Sequence, residues 1–94
     1  MNIRRLSMDV DKAMDQPSIL EIAAAIDGCG GVAACNIAVN EIDVETVGMD
    51  ITIEGEGLDY HAIVAAIEKT GAAVHSLDQV VIGDRIIERA PRVR

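Results

Sequence analysis

Two neighbouring stretches with a period of two, between residues 32 and 54, constrain the fold more than any other feature of this chain. In both stretches apolar side chains alternate with small or polar ones, and the apolar positions are Cys35, Ile37, Val39, Val47, Met49, Ile51 and Ile53. This alternation predicts two β-strands that each bury one face. The connection over residues 43–46 is short and polar, so we expect the two strands to pair in antiparallel fashion.

The length of the chain and its scarcity of aromatic residues limit the core that it can build. Its 94 residues suffice for a single domain, 1–94, with a core over residues 3–83 and a charged tail over residues 84–94. Tyr60 is the only Phe, Trp or Tyr, so the core must consist of Ile, Val, Leu, Met and Ala. Because a core of this size is marginal, we expect the chain to form a homo-oligomer.

The charge of the chain is strongly acidic. Sixteen Asp and Glu against eight Lys and Arg give a net charge of −8. Such a protein suits cations or basic partners, and a nucleic-acid partner is disfavoured because nucleic-acid binders carry a basic patch. Four arginines of the tail are the exception, and we interpret them as pairing with acidic neighbours or keeping the tail in solution rather than binding a phosphate surface: Arg85, Arg89, Arg92 and Arg94.

Neither a membrane span nor a disulfide framework is indicated. No apolar run approaches the roughly 18 residues that cross a bilayer, and the first residues lack the apolar region of a signal peptide, so we expect a cytoplasmic protein without a membrane partner. Cys35 falls on the inward set of its strand, where a free thiol acts as a small hydrophobe. A metal site formed by Cys29 and Cys35 is the alternative, but no second pair of ligands accompanies them.

The first part of the chain has the pattern of a strand followed by a helix. Alternation predicts a strand over residues 3–10 and a polar connection over residues 11–16. Pro17 suits the start of a helix, which the apolar spacing predicts over residues 18–27. The glycines of segment 28–31 then end this helix, since glycine adopts a left-handed cap at little cost. Glycines that follow a helix cannot hold a phosphate at a helix N-terminus, which argues against nucleotide binding of the P-loop or Rossmann kind.

The last part of the chain has the pattern of a helix followed by a strand. The signals for the helix are clear, and those for the strand are ambiguous. Asp59 is a predicted N-cap, and the helix that follows it is predicted to end at Gly71, just past Lys69. A final strand is predicted over residues 72–82. Its apolar residues fall on both parities, so the pattern leaves open which set points inward.

The predicted order is therefore β-α-β-β-α-β, which the right-handed crossover rule allows to assemble in few ways. We expect an α+β fold of the ferredoxin-like type, with a four-stranded antiparallel sheet in the order 4-1-3-2 and both helices on one face. The other face of the sheet is then open to solvent. We expect it to carry Arg5, Ser7, Asp9, Asn36, Asn40, Asp50 and Thr52.

Short motifs along almost the whole chain carry a likeness to a known family. They are Gly31-Val32, Asn36-Ile37, Glu41-Ile42-Asp43, Glu45-Thr46, Ile53-Glu54-Gly55, Leu58-Asp59 and His75-Ser76-x-Asp78-x-Val80-Val81. With these motifs the chain resembles the archaeal family called domain of unknown function 211. The resemblance implies small ferredoxin-like proteins that assemble into rings, with calcium bound in some members and no established activity. One departure is that Asp11-Lys12-Ala13 stands where the family usually has Lys-Pro, which puts the family's turn in doubt at that place.

Three carboxylates at the predicted hairpin are the first candidate metal ligands. Glu41, Asp43 and Glu45 are spaced so that an extended chain would project them to one side. Calcium and similar divalent cations bind six to eight oxygen atoms from such groups. The alternatives are a solvated turn whose charges prevent aggregation of sheet edges and a cation site completed by a second subunit.

Asp9, Asn36 and Asp78 are the second candidate set, since the fold would bring their elements together and the family motifs cover this region. A polar face of this kind could hold a cation or form a subunit interface with matched hydrogen bonds.

The run His75-Ser76-x-Asp78 contains the residue types of a hydrolytic triad. On one strand, however, His75 faces away from Ser76 and Asp78, so the three cannot form the relay locally. We interpret His75 and His61 as structural or surface histidines, and with no cofactor motif we expect no enzyme.

These observations favour a non-enzymatic oligomeric protein that holds calcium or another divalent cation through acidic residues. The alternative is a regulatory module that binds a small molecule at a subunit interface, with loops 28–31 and 55–58 as the places to look. A heavy-metal chaperone of the same fold is disfavoured, because such proteins carry C-x-x-C before the first helix and this chain has DKAMDQ there.

Overall fold

The computed structural model describes residues 1–88 and contains six regular elements in the predicted order. They are β1 (Ile3–Ala13), α1 (Ile19–Asp27), β2 (Val32–Ile42), β3 (Thr46–Gly55), α2 (Tyr60–Lys69) and β4 (Ala73–Ile82). The strands form one antiparallel sheet in the order β2-β3-β1-β4, and the core joins both helices to the same face of it. The ferredoxin-like α+β fold is confirmed.

The core lies between the helix side of the sheet and the two helices. Every apolar position that alternation assigned inward on β3 is buried, as are alternate residues of β1 and the inner stripes of α1 and α2. The largest fully buried side chains are Leu6, Met8, Ile22, Ile26, Met49, Ile51, Ile53, Ile63 and Ile67, with Val10. This core is entirely aliphatic, as the composition required.

Capping side chains fix where both helices begin. The side chain of Ser18 accepts the N–H of Glu21 at 3.1 Å, and that of Asp59 accepts the N–H of Ala62 at 3.1 Å. Pro17 directly precedes the N-cap, at the start of α1.

The helix ends differ from each other. The C-cap of α1 is Gly28, but it keeps a right-handed conformation, so a left-handed cap at this glycine was a wrong expectation. After α2 the left-handed residue is Gly71, with φ 106°, as predicted.

The first strand is longer than predicted. Asp11, Lys12 and Ala13 pair with Gly48, Val47 and Thr46, so the expected polar connection over residues 11–16 was wrong in its first half. The strand continues because β3 still offers backbone partners there. The segment Asp11-Lys12-Ala13, where this chain departs from the family's Lys-Pro, thus lies inside β1 and not in a turn.

Two irregularities in β4 explain its poor alternation. Its register against β1 shifts between the pairs Ser7–Gln79 and Met8–Leu77, and again between Asp9–Ser76 and Val10–Val74. Each shift inserts one residue, Asp78 and His75 respectively, and reverses the parity of the side chains that follow. As a result Val74, Leu77, Val80 and Ile82 all pair with helix-side residues of β1.

The open face carries the polar set that the fold implied. Ser7 and Asn36 flank Thr52, and Asp9 lies opposite Asp50, on the side away from the core. Arg5 lies on the same side, opposite Glu54. Asn40 is the extra residue at a register shift in β2, and its amide oxygen lies over Gly48 on this face.

The segment after β4 remains in contact with the sheet. The N–H of Gly83 donates to the carbonyl of Asn2 at 2.9 Å, and the guanidinium of Arg5 contacts Glu88 at 3.1 Å. The part of the expected tail up to Glu88 is therefore anchored. Its arginines Arg89, Arg92 and Arg94 lie outside the described residues.

Two glycine loops pack directly on each other at the end of the β2–β3 pair. The N–H of Glu56 donates to the carbonyl of Gly31 at 3.0 Å. A Cβ on Gly55 would lie 1.9 Å from the oxygen of Gly31, and a Cβ on Gly31 would lie 2.2 Å from the oxygen of Glu56. The missing side chains at Gly31 and Gly55 let the two backbones approach this closely.

We predict that Gly55→Ala lowers the free energy of unfolding by about 2 kcal/mol or more, because the methyl group forces the two loops apart. Urea unfolding followed by circular dichroism measures this. Gly30→Ala is the matched control, since a Cβ at Gly30 meets nothing within 4 Å. Equal stability of the two variants would show that the loop contact is not required.

Candidate functional site

The turn between β2 and β3 holds the carboxylates of the first predicted metal site. Glu41 lies near the end of β2 and Asp43 and Glu45 lie in the turn, and all three are exposed. The N–H of Asp43 donates to the carbonyl of Thr46 at 2.8 Å, and its Oδ1 accepts the N–H of Val44 at 2.7 Å. One of the two carboxylate oxygens of Asp43 is therefore used by the turn itself.

The second predicted set is spread across the sheet. Asp9 is paired with Ser76, whose hydroxyl donates to Asp78 at 2.8 Å, so Asp9 and Asp78 occupy neighbouring positions. Asn36 lies on β2, opposite Thr52 and two strands away from β1. From the spacing of strands and residues this places Asn36 roughly 12 Å from Asp9. The fold brings two of these three side chains together and not the third.

Within residues 1–88, no three side chains of His, Cys, Asp or Glu gather closely enough to hold a metal ion. Calcium requires six to eight oxygen ligands, so the hairpin carboxylates of one copy are an incomplete set. Both metal sites stay predictions. A hairpin site that is completed by ligands from a second copy fits this geometry better than a site within one chain.

An acidic strip on the open face was only partly foreseen. Asp9 and Asp50 lie directly opposite each other, and Asp11 follows on β1 beside Gly48. Because Gly48 has no side chain, the amide oxygen of Asn40 and a carboxylate oxygen of Asp11 come within 2.9 and 3.6 Å of the place its Cβ would take. Alternation predicted the face of these residues, but their pairing depends on the register, which the sequence does not state.

The triad residue types do not form a relay in the structure. Ser76 is bonded to Asp78, whereas the nearest acidic partner of His75 is Asp11, with 3.9 Å between Nδ1 and Oδ2. His61 lies exposed on α2, in edge-to-face contact with Tyr60. The Ser76 hydroxyl is therefore paired with a carboxylate and not with the His75 imidazole, which is the base that a triad requires.

A buried lysine was missed by sequence reasoning. Lys12 is 8% exposed on the helix side of β1, where it pairs with Val47. Its ammonium donates to the carbonyls of Ala13 and Met14 at 3.0 and 3.1 Å. The aliphatic stem of Lys12 thus extends the core, while its ammonium provides hydrogen bonds for backbone carbonyls at the end of β1. A polar residue at an inward parity of β1 was the available signal.

Arg5 is the cationic centre of the opposite end of the open face. Its Nε donates to Glu54 at 2.8 Å and its Nη2 to Glu88 at 3.1 Å. Hydrogen bonds to Glu54 and then to Glu88 raise the pKa of the Arg5 guanidinium above its usual value. Because both carboxylates are partly or largely exposed, this network orders the segment to Glu88 more than it stabilises the fold.

The helix layer leaves apolar side chains bare along both outer strands. On β2 these are Val39 and Ile42, and on β4 they are Leu77, Val80 and Ile82. Helices of 9 and 10 residues are about 14–15 Å long, whereas strands of 10–11 residues extend about 33–37 Å. The helices therefore cannot cover the whole sheet.

Cys35 is affected by the same shortage of cover. It pairs with Ile53 on the helix side, as predicted, but the residue is exposed, so its expected place in the core was wrong. Partial burial of the thiol raises its pKa, which lowers the fraction of the reactive thiolate form. Cys29 is the more enclosed of the two, and its thiol lies 3.5 Å from the carbonyl of Ala25.

An apolar groove lies beside β4 at the end of the sheet remote from the hairpin. We call it the β4 groove, and its volume is about 780 Å³. Its apolar lining is formed by Ile3, Leu6, Leu58, Leu77, Val80 and Ile82, with Met1 at the edge. Asp59, Tyr60 and His61, at the start of α2, add the polar groups. Its size and lining are within the range of sites that bind apolar groups.

Comparison with known proteins agrees with this geometry. The model of the DUF211 family, described as "Uncharacterized ArCR", matches residues 4–94. An uncharacterized protein of Methanocaldococcus jannaschii, MJ0319, is 40% identical over 94 residues, which cover 98% of this chain and 96% of that protein. The chain belongs to the DUF211 family. The resemblance inferred from the motifs is confirmed, and both the family and this relative are described as uncharacterized.

Several motifs through which the chain resembles DUF211 fall on residues with a structural task. Gly31 and Gly55 allow the loop contact, Ile53 and Leu58 are buried, and Asp59 caps α2. The small-molecule alternative pointed to these glycine loops, and the structure gives the two glycines a packing role there. The acidic members of the motifs at the hairpin and on β4 are instead exposed.

No described helix of this DUF211 protein is long and apolar enough to cross a membrane.

We predict that Asp43→Ala lowers the free energy of unfolding by about 1 kcal/mol, because the turn loses the acceptor for the N–H of Val44. Asp43→Asn keeps an acceptor oxygen and should unfold like the parent protein. Thermal and urea unfolding without divalent cations measure both variants. If Asp43→Asn were as unstable as Asp43→Ala, the charge of Asp43 and not its hydrogen bond would support the hairpin.

Proposed function

We propose that this DUF211 protein is a non-enzymatic, self-associating protein of the cytoplasm whose copies join through the edges of their sheets. The observation that carries the proposal is the row of apolar side chains left bare on both outer strands. They are Val39, Ile42, Leu77, Val80 and Ile82, which are between 41% and 68% exposed.

The outer strands also offer backbone groups to a partner. β2 and β4 are 11 and 10 residues long, and within residues 1–88 each has a neighbouring strand on one side only. Long edges of this kind invite pairing unless charge or irregular backbone blocks them. β4 has two inserted residues and β2 has acidic residues at its end, which restrict how another chain can pair. Association through side chains fits these edges better than continuous strand pairing.

The energy of burial requires that several of these side chains be covered at once. Burying one Val, Leu or Ile side chain stabilises by about 1.5–3 kcal/mol. Loss of translational and rotational freedom costs an association about 4–15 kcal/mol. One bare side chain is therefore insufficient, whereas the apolar residues of the two edges together bring the gain into the range of this cost.

Calcium or another divalent cation enters the proposal as a ligand shared between copies. Glu41, Asp43 and Glu45 lie at the exposed end of the hairpin, and one copy does not gather a complete set among its described residues. A neighbouring chain would have to bring further oxygen ligands close to them. The hairpin carboxylates would hold the cation, and the cation would offset the repulsion between acidic chains.

We expect the purified protein to have a mass of several times the 10.0 kDa of one chain when measured by light scattering after gel filtration at micromolar concentration. Addition of calcium should raise the melting temperature, and a chelator should lower it, because a cation bound by the assembled form stabilises it.

The two parts of this proposal fail separately. A mass of 10.0 kDa with and without calcium would contradict self-association. A multiple mass with no response of the melting temperature to calcium, manganese, nickel or zinc would contradict only the shared cation.

A further inference from the structure

The two bare edges differ in shape, and the difference points to a way in which copies join. We propose that the hairpin tip of one copy, defined as Val39, Ile42 and Val44, enters the β4 groove of the next copy. This inference rests on the self-association proposed above, and it adds the two surfaces and the head-to-tail sense of the contact.

The hairpin tip is a projecting apolar surface. Ile42 is 68% exposed and Val44 is 86% exposed, whereas the apolar residues of β3 that follow the turn, beginning with Val47, are buried. The tip is also ordered, because Asp43 bonds to both Thr46 and the N–H of Val44. A rigid apolar projection loses little conformational freedom when it is buried, which favours binding.

The β4 groove is the complementary concave surface. Its floor is formed by the fully buried Leu6 and the nearly buried Leu58, and its wall by the half-exposed Leu77, Val80 and Ile82. With a volume of about 780 Å³, it has room for the two branched side chains of Ile42 and Val44. Apolar anchors that fill such a pocket supply most of the energy of a protein interface.

The contact cannot form within one chain. β2 and β4 are the two outer strands of the sheet. The tip follows the end of the sheet where Ala13 pairs with Thr46, whereas the groove lies where Ile3 pairs with Ile82. The two surfaces are therefore at diagonally opposite corners of a molecule that extends 39 Å in two directions. Only a second copy can bring a tip to a groove.

Charge disfavours the symmetric alternative in which two tips meet. Glu41, Asp43 and Glu45 flank the tip, so a two-fold contact would bring six carboxylates together, which is costly. Among the described residues that line the groove, Asp59 is the only acidic one, and one of its oxygens already caps α2. The tip-to-groove contact is heterologous, so each copy can use its tip and its groove at the same time.

The test uses one charge substitution on each surface and a matched control, all in the full-length chain. Val44→Asp disables the tip and Val80→Asp disables the groove. Leu20→Asp is the control, because Leu20 is 80% exposed on α1 and belongs to neither surface. We expect light scattering to give the mass of a single chain for Val44→Asp and Val80→Asp and the parent mass for Leu20→Asp.

A mixture of the two disabled variants decides between a heterologous and a symmetric contact. Val80→Asp keeps an intact tip and Val44→Asp keeps an intact groove, so an equimolar mixture should form a dimer of twice the single-chain mass and nothing larger. Val80→Thr, which keeps the shape of the side chain, replaces Val80→Asp if circular dichroism shows that the latter does not fold.

Each contrary result has a distinct meaning. If the parent protein assembles but the mixture stays at the single-chain mass, the tip-to-groove contact is wrong and self-association stands. If Val44→Asp or Val80→Asp keeps the parent mass, the corresponding surface is not at the interface. A fatty acid serves as a probe of the groove. If Val80→Asp abolishes its binding but leaves the assembly unchanged, the groove binds a small apolar molecule and the inference is overturned. A single-chain mass for the parent protein removes the proposed function as well.

Discussion

The mismatch in length between the helix layer and the sheet determines most of what this structure exposes. Two helices of 9 and 10 residues cover the centre of a sheet whose strands have 10–11 residues, so the core is complete under β1 and β3 and incomplete at the outer strands. The same inner parity that gives Met49 and Ile51 full burial leaves Ile42 and Val80 in solvent. The composition adds to this effect. Aromatic side chains bury more surface than aliphatic ones, and this chain has no Phe or Trp that could extend over the outer strands.

The two residues inserted in β4, His75 and Asp78, bring apolar side chains of opposite sequence parity to the same face of the sheet. Without the inserted residues His75 and Asp78, Leu77 would point to the open face while Val74 and Val80 pointed to the helices. With them, all three side chains face the same side as the core residues of β1, and the β4 groove acquires its wall. Irregularities of this kind also prevent long continuous pairing at a sheet edge. Thus one local feature both creates a surface for side-chain contact and restricts backbone contact.

Most of the fold could be predicted from the sequence because its signals are local. The alternation of Met49 and Ile51 and the caps at Asp59 and Gly71 depend on neighbouring residues alone, and the order of elements follows from them. The end of β1 could not be predicted, since Lys12 is polar and its strand is extended by pairing with β3. The second candidate metal set is a different case: we expected the fold to bring Asn36 together with Asp9 and Asp78, although the strand order predicted from the same sequence already places β3 between Asn36 and Asp9. Register and strand order are long-range properties, and they decide which side chains meet.

Five consecutive residues of the hairpin between β2 and β3 include both acidic and apolar side chains. Along Glu41-Ile42-Asp43-Val44-Glu45 the carboxylates and the branched side chains alternate in sequence, and all five residues are exposed. An apolar contact made by Ile42 and Val44 would leave the carboxylates at its rim, where they need not be desolvated and where they influence the choice of partner more than the affinity. A cation shared between copies would have its place at that rim and not inside the contact. The metal hypothesis and the docking hypothesis therefore do not compete for the same atoms: the first uses the carboxylates of the hairpin, and the second uses its branched aliphatic side chains.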